Sequence, residues 1–174
     1  MQALTGSIAS SHIIKWLRAW YSEGMPDAID LEIVRQMLPS TPYGAGVREI
    51  KPPVEIIGDA FEGMLARDPD DHAVWGIAYN GKARGERQRF TIAHELGHFI
   101  LHRSQKQSFN CDSQSVHTGI DGLRQIEREA DEFASNLLMP GDLLREWISN
   151  QRIDLHVLSA IAKRFQVSFE ALCI

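Results

Sequence analysis

The stretch "RFTIAHELGHFILHR" at residues 89 to 103 carries three histidines at four-residue intervals, His94, His98 and His102, with Glu95 directly after the first. The segment "HELGH" fits the pattern H-E-x-x-H. Four residues on an α-helix advance about 400° and roughly 6 Å, so His94 and His98 face one side a turn apart and can reach the same metal ion. Glu95 is turned about 100° from His94, which keeps its carboxylate beside the metal and off it. There it can take a proton from a water molecule whose pKa a zinc ion has lowered, and later give it to a leaving amine. The same five residues could also belong to an amphipathic surface helix. Against that, Phe90, Ile92, Ala93, Leu96, Phe99, Ile100 and Leu101 make this helix apolar nearly all round. Such a helix is buried, and buried imidazoles beside a buried carboxylate need partners.

Hydrolytic zinc takes three protein ligands and leaves the fourth position to water. His102 lies about 12 Å along the helix from His94, too far for one ion to join all three histidines, and it is read as a packing or hydrogen-bonding residue near the helix end. The longer pattern with glycine and histidine three and six residues beyond the second ligand is excluded, because Leu101 and Ser104 stand there. The third ligand is sought on a later helix, where "IEREADEFA" offers Glu127, Glu129, Asp131 and Glu132. Its apolar stripe runs through Ile126, Ala130, Phe133 and Ala134, with Glu127 and Asp131 a turn apart along one edge. Glu127 as ligand and Asp131 as acceptor for the second N–H of a zinc histidine would supply both inner and outer contacts. Glu129 and Glu132 fall nearer the opposite side and fit a solvated acidic face.

The elements that must position these groups follow from the rest of the chain. At 174 residues with ordinary apolar content, one compact domain with a real core is expected. No apolar run is long enough for a membrane span, no signal peptide is read, and Cys111 and Cys173 have no metal or disulfide spacing, so a reduced cytoplasmic protein is expected. A first helix is predicted in "SSHIIKWLRAWYSEG", capped by Ser10 or Ser11, with Ile13, Ile14, Leu17 and Trp20 on one face and Gly24 as the stop. A second, "DLEIVRQML", has Asp30 as its cap and ends before Pro39. Residues 54 to 85 read as a small antiparallel sheet in which "DPDD" is a turn and "AVWGIAYN" a strand ending at Asn80-Gly81. The helix bearing the histidines begins at Thr91 or with Arg87 to Arg89 as its exposed first turn. A polar loop of some twenty residues follows, then the acidic helix, then two or three short helices after Pro140. The organisation expected is a helical segment over 1–50, a core over 51–140 and a helix-turn-helix-like module over 141–174 packed on it.

"RQRFTIAHELGHFILH" followed by "IEREADEFASNLLMP" resembles the ImmA/IrrE family of zinc metallopeptidases, and the likeness extends over roughly residues 50 to 172. The resemblance implies an α+β fold of the thermolysin-like, gluzincin type, with zinc held by His94, His98 and Glu127, Glu95 as general base and Asp131 in the outer shell. It further implies a protein substrate, a helix-turn-helix repressor or antitoxin whose cleavage relieves repression. It leads one to expect the helix at "EALCI" to continue into an Arg-Leu pair. The group that would stabilise the transition-state oxyanion is not evident, with His117 and Tyr79 as the candidates. Peptidases of this type bind substrate as an added strand, and "AVWGIAYN" is the expected edge, an interior position being the alternative. Cys111 is read as a bystander.

Two other functions compete. "LSAIAKRFQVSFEAL" has the outline of a DNA-binding helix-turn-helix, yet only Lys163 and Arg164 are basic between 155 and 174, and the formal charge is −5. The basic residues between Lys82 and Lys106 read as a solvated helix entry. Direct nucleic-acid binding is therefore not expected, although a regulator with a non-proteolytic metal site remains the alternative. A purely structural zinc would have four protein ligands, usually including cysteine, and no need of Glu95.

Overall fold

A computed structural model of the chain describes residues 4–59, 61–112, 121–149 and 152–172. The first helix, α1, spans Gly6–Trp20 and starts earlier than Ser10 or Ser11 would have it. Its cap is Thr5, whose hydroxyl accepts the Ile8 N–H at 3.3 Å. Ser10 and Ser11 instead donate to the Ser7 carbonyl inside the helix. Ile13 and Leu17 are buried as the periodicity requires, but Trp20, at the frayed end, is 67% exposed. Helix α2, Leu31–Met37, is capped by Asp30 and gives way before Pro39 to two short 3₁₀ turns.

The sheet is mixed, which corrects the antiparallel expectation. Strands β3 (Phe61–Arg67), β4 (Val74–Asn80) and β5 (Ser108–Asp112) are antiparallel neighbours, whereas β1 (Glu49–Ile50) and β2 (Val54–Ile56) both run parallel to β4. The β3–β4 turn is the "DPDD" segment, where Asp68 Oδ1 accepts the Asp70 and Asp71 N–H groups. Strand β4 lies between β3 on one side and β1 and β2 on the other, so it is interior rather than an edge. That position explains its imperfect alternation, since a strand flanked on both sides and covered by a helix buries residues of both parities. Strand β5 falls inside the stretch read as a featureless loop. Its five residues carry too little apolar pattern to announce a strand, and pairing with β3 creates it.

Helix α3, Gly85–Leu101, carries the histidines, and residues 93 to 100 are all buried, as their apolar surroundings demand. It is sandwiched between the sheet, where Trp75 meets Phe99 edge to face at 5.9 Å, and α4, Asp121–Leu138. Helices α5 (Gly141–Ile148), α6 (Leu155–Phe165) and α7 (Phe169–Leu172) complete the chain. One core cluster joins Ile13 and Leu17 of α1, Leu65 and Ile77 of the sheet, Leu96 and Phe99 of α3, Phe133 and Leu137 of α4, and Ile161 and Phe165 of α6. No helix among the described residues is long and apolar enough to cross a membrane.

Glycines set how closely the helices approach. A Cβ on Gly97, within the HELGH motif, would lie 3.1 Å from the Phe133 ring and 3.2 Å from the Ala130 backbone. One on Gly6 would lie 2.4 Å from the Glu129 carbonyl oxygen, so α1 rests directly on the backbone of α4. Replacing Gly97 by valine is expected to force α3 and α4 apart and lower unfolding free energy by about 1–3 kcal/mol, read from the denaturation midpoint of the metal-free chain.

Candidate metal centre

His94 and His98 stand one turn apart on α3, 8% and 0% exposed, with their ring centroids separated by 4.6 Å. Across from them, α4 presents Glu127. Its Oε2 lies 3.2 Å from His94 Nε2 and its Oε1 lies 3.5 Å from His98 Nε2, so one carboxylate spans both imidazoles. One ligand atom from each residue lies within 4.8 Å of the other two. Ligands at the usual zinc distances sit about 3.3–3.5 Å apart along a tetrahedral edge. Each imidazole nitrogen lies at about that distance from one oxygen of Glu127, and two imidazoles with one carboxylate are a donor set suited to a borderline divalent ion. These three residues could therefore hold a metal ion.

The outer partners are as specific. His94 Nδ1 lies 2.8 Å from Asp131 Oδ1, a turn beyond Glu127 on the same helix. The carboxylate oxygen accepts from Nδ1–H, and Nε2 is the nitrogen that faces Glu127. His98 Nδ1 lies 3.1 Å from His102 Nδ1, and His102 Nε2 lies 2.9 Å from Glu129 Oε2. The Phe109 ring of β5 stacks on His98 at 4.8 Å with an interplanar angle of 11°. Glu95 is fully buried. A Cβ at Gly63 of β3 would lie 2.5 Å from Glu95 Oε1 and 2.6 Å from Thr91 Cγ2, so the bare backbone of β3 makes the room that this carboxylate occupies.

Burial and charge oppose each other here. For Glu127, burial pushes the carboxyl pKa up, but the His94 and His98 rings facing it outweigh burial and bring it below the usual carboxylate range. Burial dominates at His98 and pushes its pKa down, favouring the neutral ring that a metal requires. For Glu129, burial again acts upward and is outweighed by the hydrogen bonds from His102 and Gln125, so its pKa is lowered.

The structure thus brings together His94, His98, Glu127 and Asp131 and places Glu95 beside them on α3. Glu129 departs from the solvated face expected of it, reaching His102 with its side chain only 29% exposed. Glu132 is exposed, as anticipated. Tyr79 lies on β4 opposite Gly63 in the ladder. His117 lies outside the described residues, as does Cys173, and Cys111 has its backbone in β5.

Residues 55–174 match the family described as the IrrE N-terminal-like domain of peptidase family M78. The chain is also similar to two curated proteins named radiation response metalloprotease IrrE. The one from Deinococcus radiodurans is 34% identical over 106 residues, 59% of this chain and 30% of the relative. The one from Deinococcus deserti is 35% identical over 104 residues, 59% of this chain and 35% of the relative. The alignments thus span about a third of the length of these relatives.

Glu127→Ala is expected to weaken zinc binding far more than Glu132→Ala, which removes the same charge from the exposed side of α4. Isothermal titration of the two variants checks this, and equal losses would mean that the wrong carboxylate faces the ion.

Proposed function

Because the chain belongs to the IrrE N-terminal-like family, we propose that it is a zinc-dependent endopeptidase whose metal is held by His94, His98 and Glu127 and whose general base is Glu95. The single observation that carries this reading is the convergence of two imidazole nitrogens and one carboxylate on a common point, with Glu95 on the same helix one residue from the first ligand. The relatives' description as metalloproteases supports it.

Zinc bound there would polarise the scissile carbonyl and lower the pKa of the attacking water. The work of the chain's own residues follows from their placement. Glu95 takes the proton that water loses as its oxygen attacks the peptide carbon, and delivers it to the departing amine nitrogen, so no net proton is consumed. Burial from solvent keeps that transfer from leaking to bulk water. Asp131 accepts the His94 Nδ1–H and so keeps the His94 Nε2 lone pair directed at the ion. Of the two groups considered for the oxyanion, Tyr79 is the one within the described residues.

For the substrate strand, β5 replaces β4 as the site. Among the described residues β5 is the terminal strand of the sheet, paired only with β3, and its Phe109 packs on His98. An extended peptide added antiparallel or parallel to it would run past the metal side chains. The substrate is a partner repressor or antitoxin carrying a helix-turn-helix. Direct binding of nucleic acid is disfavoured by α6 and the turn after it: Arg164 is committed to Asp27 at 2.5 Å and to the face of Trp147 at 4.0 Å, and Phe165 is fully buried.

Glu95→Gln is expected to retain one zinc per chain while cleaving at a rate lowered by about 10²–10⁴-fold. Incubation with the repressor encoded beside this protein, with and without chelator, followed by mass spectrometry of the products, checks both parts. Undiminished cleavage by the variant would remove Glu95 from its role.

A further inference from the structure

The two histidines at the centre are supported differently. His94 has its carboxylate directly, through Asp131. His98 Nδ1 meets a second imidazole, His102, and behind that Glu129. A metal bound at His98 Nε2 needs that nitrogen's lone pair, which sets the direction of the hydrogen bonds behind it. His98 then carries its hydrogen on Nδ1 and donates it to His102 Nδ1, 3.1 Å away. His102, accepting at Nδ1, carries its own hydrogen on Nε2, where Glu129 Oε2 accepts it at 2.9 Å. The nitrogen that would bind the metal, His98 Nε2, lies 3.5 Å from Glu127 Oε1.

We propose that His102 and Glu129 form a positioning relay for His98, holding its ring in the one tautomer and orientation in which Nε2 can bind the metal. This rests on the metal-site reading above. Packing around His98 fits the assignment: Phe109 stacks on its face and opposes rotation of the ring about its Cβ–Cγ bond, while the contact with His102 holds its Nδ1 edge. A side chain placed only to fill space at residue 102, 1% exposed, would not need a polar chain leading out to a carboxylate. Glu129 has the freedom to face water and instead is fastened, with Gln125 Nε2 donating to its other oxygen at 2.8 Å. All three carboxylates of the arrangement come from one helix, Glu127 and Asp131 from one edge of its apolar stripe and Glu129 from the other.

The test uses the full chain with Glu129→Ala, Glu129→Gln and His102→Phe, and Glu132→Ala as a control for loss of charge on the same helix. Zinc affinity is measured by competition with a chromophoric chelator, the visible absorption of the Co2+-loaded chain reports ligand geometry, and the melting of the metal-free chain reports folding. Losses of about 10–100-fold in zinc affinity are expected for Glu129→Ala and His102→Phe. The cobalt bands should shift in both, and Glu129→Gln, which keeps an acceptor oxygen, should recover part of the loss. Metal-free Glu129→Ala should melt within a few degrees of the wild type. Wild-type affinity and cobalt spectrum in Glu129→Ala would overturn the relay alone, as would an equal loss in Glu132→Ala. Failure of the wild-type chain to take up either metal would overturn the metal-site reading and the relay with it.

Discussion

Everything in this molecule is arranged around the contact between α3 and α4, because the imidazoles lie on one helix and the carboxylates that complete them lie on the other. Neither face could be buried by itself. Two histidines that are 8% and 0% exposed would leave polar nitrogens without water, and Glu127 would leave a charge. Brought together, each group answers the other's desolvation, and the facing imidazoles lower the Glu127 pKa against the upward push of burial.

That contact demands a close approach, and small residues on each helix permit it. Gly97 occupies the turn between the two histidines nearest α4, where Phe133 and Ala130 come within contact of any added carbon. The glycine of HELGH is thus a requirement of helix packing rather than of the reaction. Gly63 does the corresponding service on the sheet side, where β3 presents bare backbone to Glu95. The motif helix is therefore fitted on both flanks. The apolar cluster of Leu96, Phe99, Phe133 and Leu137 supplies the driving force that keeps these polar groups at their working distances.

The parts of the site differ in how far they could be read in advance. The pair His94 and His98 is a consequence of helical geometry alone, and the burial of α3 follows from its composition. Glu127 and Asp131 are visible as one edge of an amphipathic stripe. Glu129 shows the limit of such reasoning. On a helical wheel it lies about as far from the centre of the stripe as Glu127 does, on the other edge. Its environment depends on what packs there, and His102, already excluded as a ligand by helix rise, turned out to be its partner.

The sheet divides in the same way. Local signals were enough for the β3–β4 turn, the Asp30 cap and the strand character of "VWGIAYN". They could not show that β4 is interior, that β1 and β2 join it in parallel, or that a short polar stretch becomes β5. The order of residues sets which side chains share a face, because a helix or strand repeats with a fixed period. Which face meets which is settled by packing across the fold. Strand order, the edge left open and the partner of each carboxylate depend on contacts between residues far apart in the chain, and no local period encodes them.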